Sequence, residues 1–329
     1  LPSGRRTIKH KWVFRRKFLE SRKVDRYKAR LVAKGFSQIY GVDYHETFSP
    51  VVRHETVRMF LAFCAHAERS VFQADIGNAY LNAPLDKEVY IDIPDGFRDY
   101  LLTKTAQLST KAAVEQGIIT KLEQEFLDCT SEKDTKDFVL LLLKGLPGLK
   151  QVGRNWFEMF AAWLRAHGFT QCPVDTCLFY TEDRNIIIST HVDDCMFGPK
   201  HEDIYTNLLK QLEADFKVAS GQLSWFLGIN VLQLSDGLYM NQSQYIENIL
   251  KRFSMHESKP VCSPMVVGTN TRTLSDVPFN DLKLYRSAIG SLMHLAKWSR
   301  PDIAYAVAFC ARAMAKPTDV KSKYNLRLA

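Results

Sequence analysis

Two adjacent aspartates, Asp193 and Asp194, stand between the apolar runs IIISTHV and CMF, and no other feature of the chain constrains its fold as tightly. Runs rich in Ile, Val and Thr read as buried strands. A charged pair between two of them belongs at a tight hairpin tip, because neighbours in a flat strand point to opposite faces while a turn can bring both carboxylates to one spot. A third carboxylate, Asp75, ends the apolar stretch VFQADI. If that strand end lies beside the tip, three negative charges converge, and without a cation they repel and pick up protons. Hard oxygen ligands suit Mg²⁺. Asp-Asp is also a good turn dipeptide, so these residues alone leave a plain turn and a metal site both open.

The positive charge is as localised as the negative. Residues 1 to 34 hold 13 Lys and Arg against Glu20 and Asp25, which leaves 31 Lys and Arg against 34 Asp and Glu in the remainder. Such asymmetry is an electrostatic footprint for a polyphosphate. Trp12, Phe14 and Phe18 alternate with Lys11, Arg15 and Lys17, as in a strand with one apolar and one basic face. A second strand, YKARLVAKGF, sets Lys28, Arg30 and Lys34 on one side and Leu31 and Ala33 on the other. This reads as a basic two-stranded finger that binds nucleic acid, with a solvated surface as the alternative.

Along the rest of the chain, TVRMFLAFCAHAER spaces Val57, Phe60, Leu61 and Cys64 as a helix. LDKEVYIDIP reads as a strand stopped by Pro94. A helix with Val114, Ile118, Leu122 and Phe126 is expected as an insertion or lid in the charged stretch 103 to 137, within an insertion of about 98 to 140. FVLLLLK reads as a buried strand that enters GLPGLKQ and an amphipathic helix with Trp156, Phe160, Trp163 and Leu164, ended by Gly168. A helix with Ile204, Leu208, Leu212 and Phe216 on one stripe precedes a hairpin turning at Asp236 and Gly237. The last third is mostly helical, with Pro301 opening a helix. Irregular alternation of strands and helices favours α+β over a doubly wound sheet.

At 329 residues about two domains are expected. The longest apolar run, Phe138 to Leu143, is far short of the roughly 20 residues of a membrane helix, the N-terminus lacks a signal-peptide centre, and the chain reads as intracellular. Seven cysteines without a CxxC fit reduced thiols. With no HExxH and no His/Cys zinc spacing, a zinc enzyme is disfavoured.

QADIGNAYL around Asp75 and HVDDCMF around Asp193 resemble the first and third palm motifs of reverse transcriptases. The likeness extends through LPSGRRTIKHKWVFRRK, VDRYKARLVAKGFSQIYGVDYHETFSPVV, GLKQ before Arg154 and Trp156, WFLGINV, NQSQYIENILKRF and YRSAIGSLMHLAKWSRPDIAYAV. In this order the segments are similar to the copia-type (pseudovirus) reverse transcriptases of LTR retrotransposon Pol polyproteins, over nearly all of the chain except about residues 98 to 140.

The resemblance implies a right-hand polymerase with an antiparallel-sheet palm and a helical C-terminal part. Fingers are expected at 1–70 and 85–150, palm at 71–84 and 151–236, and thumb with the start of a connection at 237–329. It implies an RNA-directed DNA polymerase working by two-metal phosphoryl transfer, with Asp75, Asp193 and Asp194 as ligands of two Mg²⁺ ions that Mn²⁺ can replace. Lys28, Arg30 and Lys34 would face triphosphate or template. Gly148, Lys150 and Gln151 would contact nucleotide and template, although GxxG alone reads as an ordinary strand-to-helix turn. Phe226, Leu227 and Gly228 would steady the primer end. Tyr80, five residues after Asp75, would lie beneath the incoming sugar, or else be a core tyrosine.

The implied partners are an RNA template, a DNA or tRNA primer, deoxynucleotides, and the RNase H and integrase regions of one polyprotein. The implied setting is cytoplasmic, within virus-like particles, with product DNA passing to the nucleus. The chain stops where a link to RNase H would run, as an excised or truncated segment would. Four positions depart from the family pattern: His191 stands where an aromatic is usual, and Pro147 and Val152-Gly153 alter the loop before the helix. A decayed or domesticated copy that binds nucleic acid without catalysis is therefore the alternative, and a metal nuclease using the same carboxylates is a third reading.

Overall fold

The alternating segments form strands. This computed structural model describes residues 1–18, 23–106, 113, 120–129, 138–265 and 278–317. In chain order the strands are β1 Thr7–Ile8, β2 His10–Phe18, β3 Val24–Ala33, β4 Phe72–Ile76, β5 Tyr90–Asp92, β6 Val139–Leu141, β7 Phe169–Gln171, β8 Leu178–Thr181, β9 Ile186–His191, β10 Asp194–Pro199, β11 Val218–Gln222, β12 Trp225–Phe226, β13 Ile229–Leu234 and β14 Gly237–Asn241. With the helices between them this is an α+β chain. It folds as two units: Leu1–Val51 with Ile76–Glu182 and His191–Asp193, and Val52–Asp75 with Asp183–Thr190 and Asp194–Ala329.

In the first unit β2 and β3 form an antiparallel ribbon that pairs Trp12 with Leu31, Val13 with Arg30, Phe14 with Ala29 and Arg15 with Lys28. Directly opposed residues share a face. One face therefore carries Lys11, Arg15, Lys17, Arg26, Lys28 and Arg30 with Val13 and Val32, while the other carries Trp12, Phe14, Tyr27 and Leu31 with Arg16. Lys34 corrects the sequence reading. The strand ends at Ala33, and Lys34 leads into the 3-10 turn Gly35–Ser37 with φ −84° and ψ 68°, so the alternation that placed it with Lys28 and Arg30 has stopped.

A second sheet of this unit runs in the order β1-β5-β6, with β1 parallel to β5, over a core of Ile8, Ala33, Ile91, Leu146 and Leu149. FVLLLLK is not a buried strand. Its strand is Val139–Leu141, at the sheet edge, and Leu143 is 81% exposed, because a leucine run alone does not distinguish edge from centre. The helices Phe97–Lys104 and Lys121–Asp128 enclose a small core of Leu101, Ala113, Phe126 and Leu127. Thr120 and Glu123 close a capping box on the second helix, and Arg98 donates to the carbonyls of Phe126 and Leu127 at its far end. Of the stripe expected there Leu122 is 66% exposed, and Val114 and Ile118 lie outside the described residues. The helix Val152–Ala166 buries Trp156, Phe160 and Leu164, ends just before Gly168 at φ +84°, and leads into the antiparallel pair β7 and β8.

In the second unit four strands run in the order β11-β4-β10-β9. The helix His54–His66 packs on β10 at Gly198, where an added Cβ would lie 2.5 Å from Cys64 Sγ. Burial pushes the Cys64 thiol up to about 12, and all seven cysteines are free thiols. The helix Glu202–Asp215 buries Tyr205, Leu208 and Leu212, and Tyr205 stacks on Phe72 at 4.3 Å, so its stripe centres on Tyr205 instead of Ile204. β12, β13 and β14 form a further sheet. The helices Ser243–Arg252, Leu282–Trp298 and Ala304–Ala311 share a core of Ile249, Tyr285, Ile289, Leu292, Val307 and Phe309. No helix among the described residues is long and apolar enough to cross a membrane.

Two histidines join this helical core to the His54–His66 helix. His54 packs on Trp298 at 4.5 Å, and Arg58 donates to the carbonyls of Lys297 and Trp298. Burial, then the nearby Lys297, holds His54 below the ordinary imidazole range against the opposing pull of Glu55, and burial does the same to His294. A lowered folded pKa means that the unfolded chain binds more protons, so stability rises with pH through this window. Melting temperature is expected to fall as pH drops from about 6.5, and to fall less in a His54→Gln, His294→Gln chain. Scanning calorimetry on either side of that pH checks it.

Candidate active site

β9 and β10 make the acidic hairpin anticipated from the sequence. Val192, the first residue of its turn, holds φ +58°, a conformation costly for a β-branched side chain. Two hydrogen bonds in the first unit fix it. The buried Trp156 indole donates to Val192 O at 2.7 Å, and the Ile76 N–H donates to Asp193 O at 2.9 Å. His191 is half-buried, and burial lowers its pKa despite the opposing charge of Asp193, which favours the neutral ring.

In the second unit Asp194 stands directly opposite Asp75 in the β10–β4 register. Opposed side chains share a face with Cβ atoms about 5 Å apart, and like charges so placed repel. Asp75 and Asp193 are exposed and Asp194 half-buried. Asp193 adjoins this pair by one peptide bond. Among the described residues no group of three His, Cys, Asp or Glu is gathered tightly enough to hold a metal ion. What the site offers is an opposed pair of carboxylates with a third next along the chain.

The pair lines a cleft of about 220 Å³ with Gln73, Ser220, Trp225 and Phe226. Gln73 sits two residues before Asp75 and shares its face, and its Oε1 accepts from the N–H groups of Ser224 and Trp225 at 3.2 and 3.4 Å. Gln233 ties the same segment from the other side: its Oε1 accepts from Val71 N, while its Nε2 donates to the carbonyls of Val71 and Leu223. Between β12 and β13, Leu227 at φ +49° and Gly228 at φ +86° make a two-residue turn with both central residues left-handed. The hairpin of Phe226, Leu227 and Gly228 is thus fastened to the strand that bears Asp75. Sequence reasoning missed both glutamines, since a lone Gln carries no spacing signal. Gln73→Leu is expected to free the Ser224 and Trp225 amides and speed their hydrogen exchange about tenfold, the equivalent of one ordinary hydrogen bond. Exchange mass spectrometry reads this directly.

In the first unit Tyr80 follows Asn78, which turns the chain at φ +57°. Its ring is half-buried against the Ile8 to Val152 core, and burial followed by the charge of Asp193 raises its pKa, which places the phenol near that carboxylate. The GLPGLKQ segment is bolted to β3. The Ala33 N–H donates to Pro147 O at 2.8 Å, and at Gly148, φ +99°, an added Cβ would lie 2.2 Å from Ala33 O. Gln151 is fully buried: Gln38 Nε2 donates to its Oε1 at 3.0 Å, and its own Nε2 donates to Asp43 O at 2.9 Å. Lys150 is exposed, its Nζ 3.1 Å from the Tyr44 hydroxyl and 4.7 Å from the centre of that ring. Gly148 and Gln151 thus hold the loop, and Lys150 alone of the three presents a polar head outward.

A family profile described as reverse transcriptase (RNA-dependent DNA polymerase) matches residues 1–114 and 123–267. The chain is 33% identical to the retrovirus-related Pol polyprotein from transposon RE2 of Arabidopsis thaliana, over 94% of the chain and 19% of that protein. It is 32% identical to the corresponding polyprotein from transposon TNT 1-94 of Nicotiana tabacum, over 96% of the chain and 22% of that protein. A putative transposon Ty5-1 protein of Saccharomyces cerevisiae is 24% identical over 74% of the chain and 70% of its own length. The chain spans about one fifth of the two plant polyproteins it matches.

Proposed function

Because the chain belongs to the reverse transcriptase (RNA-dependent DNA polymerase) family, in the branch found in Pol polyproteins of copia-type transposons, we propose that it is an RNA-directed DNA polymerase extending a primer on RNA and then DNA. The observation that carries this reading is the register of Asp194 opposite Asp75, with Asp193 next in the turn. These three side chains offer only hard carboxylate oxygen, and the repulsion of the opposed Asp75 and Asp194 is relieved by a cation, so their donor chemistry fits Mg²⁺ or Mn²⁺ and they are the residues that would hold it. Bound there, the divalent ion would supply activation of the primer hydroxyl and stabilisation of the leaving pyrophosphate.

The chain's own groups perform the rest. Residues 1–70 and 85–150 act as fingers, 71–84 and 151–236 as palm, and 237–329 as thumb. Lys28 and Arg30 on the cationic ribbon face bind phosphate, Lys150 meets the template side, and the Phe226 to Gly228 hairpin holds the primer end through its attachment to β4. Template, primer and deoxynucleotides are the partners, with RNase H and integrase regions in the same polyprotein and virus-like particles in the cytoplasm as the setting.

Primer extension on poly(rA) with dTTP and Mg²⁺ tests the proposal. Incorporation supports it; template binding without incorporation favours a decayed copy, and cleavage without incorporation favours a nuclease. The ribbon has its own test. Arg15 opposes Lys28 and Lys17 opposes Arg26, which also meets Asp25 at 3.7 Å, and a phosphate lying over these like-charge pairings would relieve their repulsion. Each phosphate contact contributes about 0.7 to 0.9 to the slope of log affinity against log salt. Lys28→Ala with Arg30→Ala is expected to flatten that slope by between one and two, whatever the sequence of the duplex. An unchanged slope would make the face a solvated surface.

A further inference from the structure

Behind the turn of the Phe226 to Gly228 hairpin, in the second unit, stands a histidine that the site described above does not use. His294 projects from the helix Leu282–Trp298, and its Nε2 lies 3.7 Å from where a Cβ on Gly228 would sit. Tyr245 of the helix Ser243–Arg252 meets the ring edge-on, with centres 4.9 Å apart and planes at 72°, and so holds it against the turn. His294 is half-buried and takes no hydrogen bond among the described residues, yet its nitrogens are not sealed from solvent as the Nδ1 atoms of His10 and His191 are. A ring held in place with its polar atoms open and unpartnered can serve a ligand as well as packing.

The groups around the ring select the ligand. Lys297 is exposed three residues along the same helix, and the helix His54–His66 brings His54 and Arg58, with Glu55 as the opposing charge. Tyr245 and the hairpin turn bring none. Arg58 is committed to the carbonyls of Lys297 and Trp298, and burial holds both histidines towards the neutral form. A metal ion would meet the repulsion of Lys297 and Arg58. An anion gains on every count: it accepts a hydrogen bond from the imidazole, attracts Lys297, and offsets the cost of charging a half-buried ring.

We propose that His294 and Lys297 form a subsite for one phosphodiester of the primer strand behind the hairpin turn, and that His294 takes a proton from solvent as the strand binds. The identity of the strand rests on the polymerase reading; the anion chemistry does not. A phosphate stabilises the imidazolium, so the bound ring titrates at a higher pH than the free one. The complex then holds more protons than its separated parts between those two values, and affinity rises as pH falls through that window, which brackets the ordinary imidazole value of about 6.5.

Primer–template duplexes carrying a single neutral methylphosphonate, stepped along the primer in one series and along the template in another, test it. With the unaltered chain, one primer position is expected to weaken binding at least about tenfold, the loss of one charge-assisted hydrogen bond. His294→Gln should cut that penalty to within about threefold and flatten the gain in affinity of the unmodified duplex between about pH 7.5 and pH 6. Lys297→Ala, at an exposed position where folding is little at risk, should shrink the same penalty. His294→Phe keeps a ring against Tyr245 and Gly228 but has no nitrogen, so it should behave as His294→Gln does; full binding and full pH dependence in the Phe chain would reduce His294 to packing and overturn the subsite. A methylphosphonate profile that is the same in all four chains, or a sensitive position found only on the template, would overturn it too. Primer extension by the unaltered chain is measured alongside. Extension with binding that ignores His294 defeats the subsite alone, whereas binding that depends on His294 without extension defeats the polymerase and leaves the subsite standing.

Discussion

Asp193→Asn is expected to lower primer extension at least about a hundredfold, beyond the ten- to hundredfold typical of residues that merely support a metal ligand, while template–primer affinity stays within about twofold. The local structure makes the substitution a clean probe. The Asp193 side chain is exposed, and the turn that carries it is fixed through main-chain atoms, Asp193 O accepting from Ile76 N–H and Val192 O from the Trp156 indole. An asparagine of the same shape leaves both bonds in place. What it removes is charge: an amide oxygen is a poor Mg²⁺ ligand, and the loss relieves repulsion within the acidic group. Affinity is insulated because it comes chiefly from lysines and arginines on phosphate. Extension and binding measured on one preparation decide the matter, and extension surviving within tenfold would take Asp193 out of the metal site.

Much of this site was legible in the sequence because it is built from local patterns. IIISTHV and CMF with two acids between them specify a hairpin, and VFQADI specifies a strand of the same character, so the Asp75 to Asp194 pairing needed only that the two meet. The two-faced ribbon was legible for the same reason, since alternation in one strand fixes what each face carries. Lys34 was misplaced because alternation holds only as far as the strand does, and nothing in AKGF marks Ala33 as its last residue. FVLLLLK failed differently: its composition satisfies an edge as well as a centre.

The polar fastenings were illegible in principle. Gln38 meets Gln151 across 113 positions, and Gln73 reaches Ser224 across 151. Such bonds have no periodicity, and their partners are main-chain groups or other amides that any sequence supplies. The consequence for function is that the GLPGLKQ loop, matched to nucleotide contact by resemblance, owes Gly148 to a close approach to Ala33 and Gln151 to an internal network. A substitution at either acts first on the loop's position, so a loss of activity there does not identify a nucleotide contact.

Tyr80→Val separates two physical roles at a position where both are visible. The ring packs against the Ile8 to Val152 core, as a structural tyrosine would, and its hydroxyl end feels the charge of Asp193, as a residue bordering the nucleotide would. A purely structural ring predicts that the smaller side chain costs up to a few kcal/mol of stability and slows both kinds of nucleotide alike. A ring beneath the incoming sugar predicts in addition that removing it admits a 2′ hydroxyl, which changes discrimination more than binding. Tyr80 is half-buried, not enclosed, so part of the ring is available to meet a ligand and the stability cost should sit at the low end of that range. The ratio of ribonucleotide to deoxynucleotide kcat/KM is therefore expected to rise at least about tenfold, equivalent to about 1.4 kcal/mol of discrimination. Because the ratio compares two substrates on the same folded enzyme, a loss of stability cancels from it. An unchanged ratio accompanied by a lower melting temperature would leave Tyr80 in the core and move the nucleotide pocket away from the turn that follows β4.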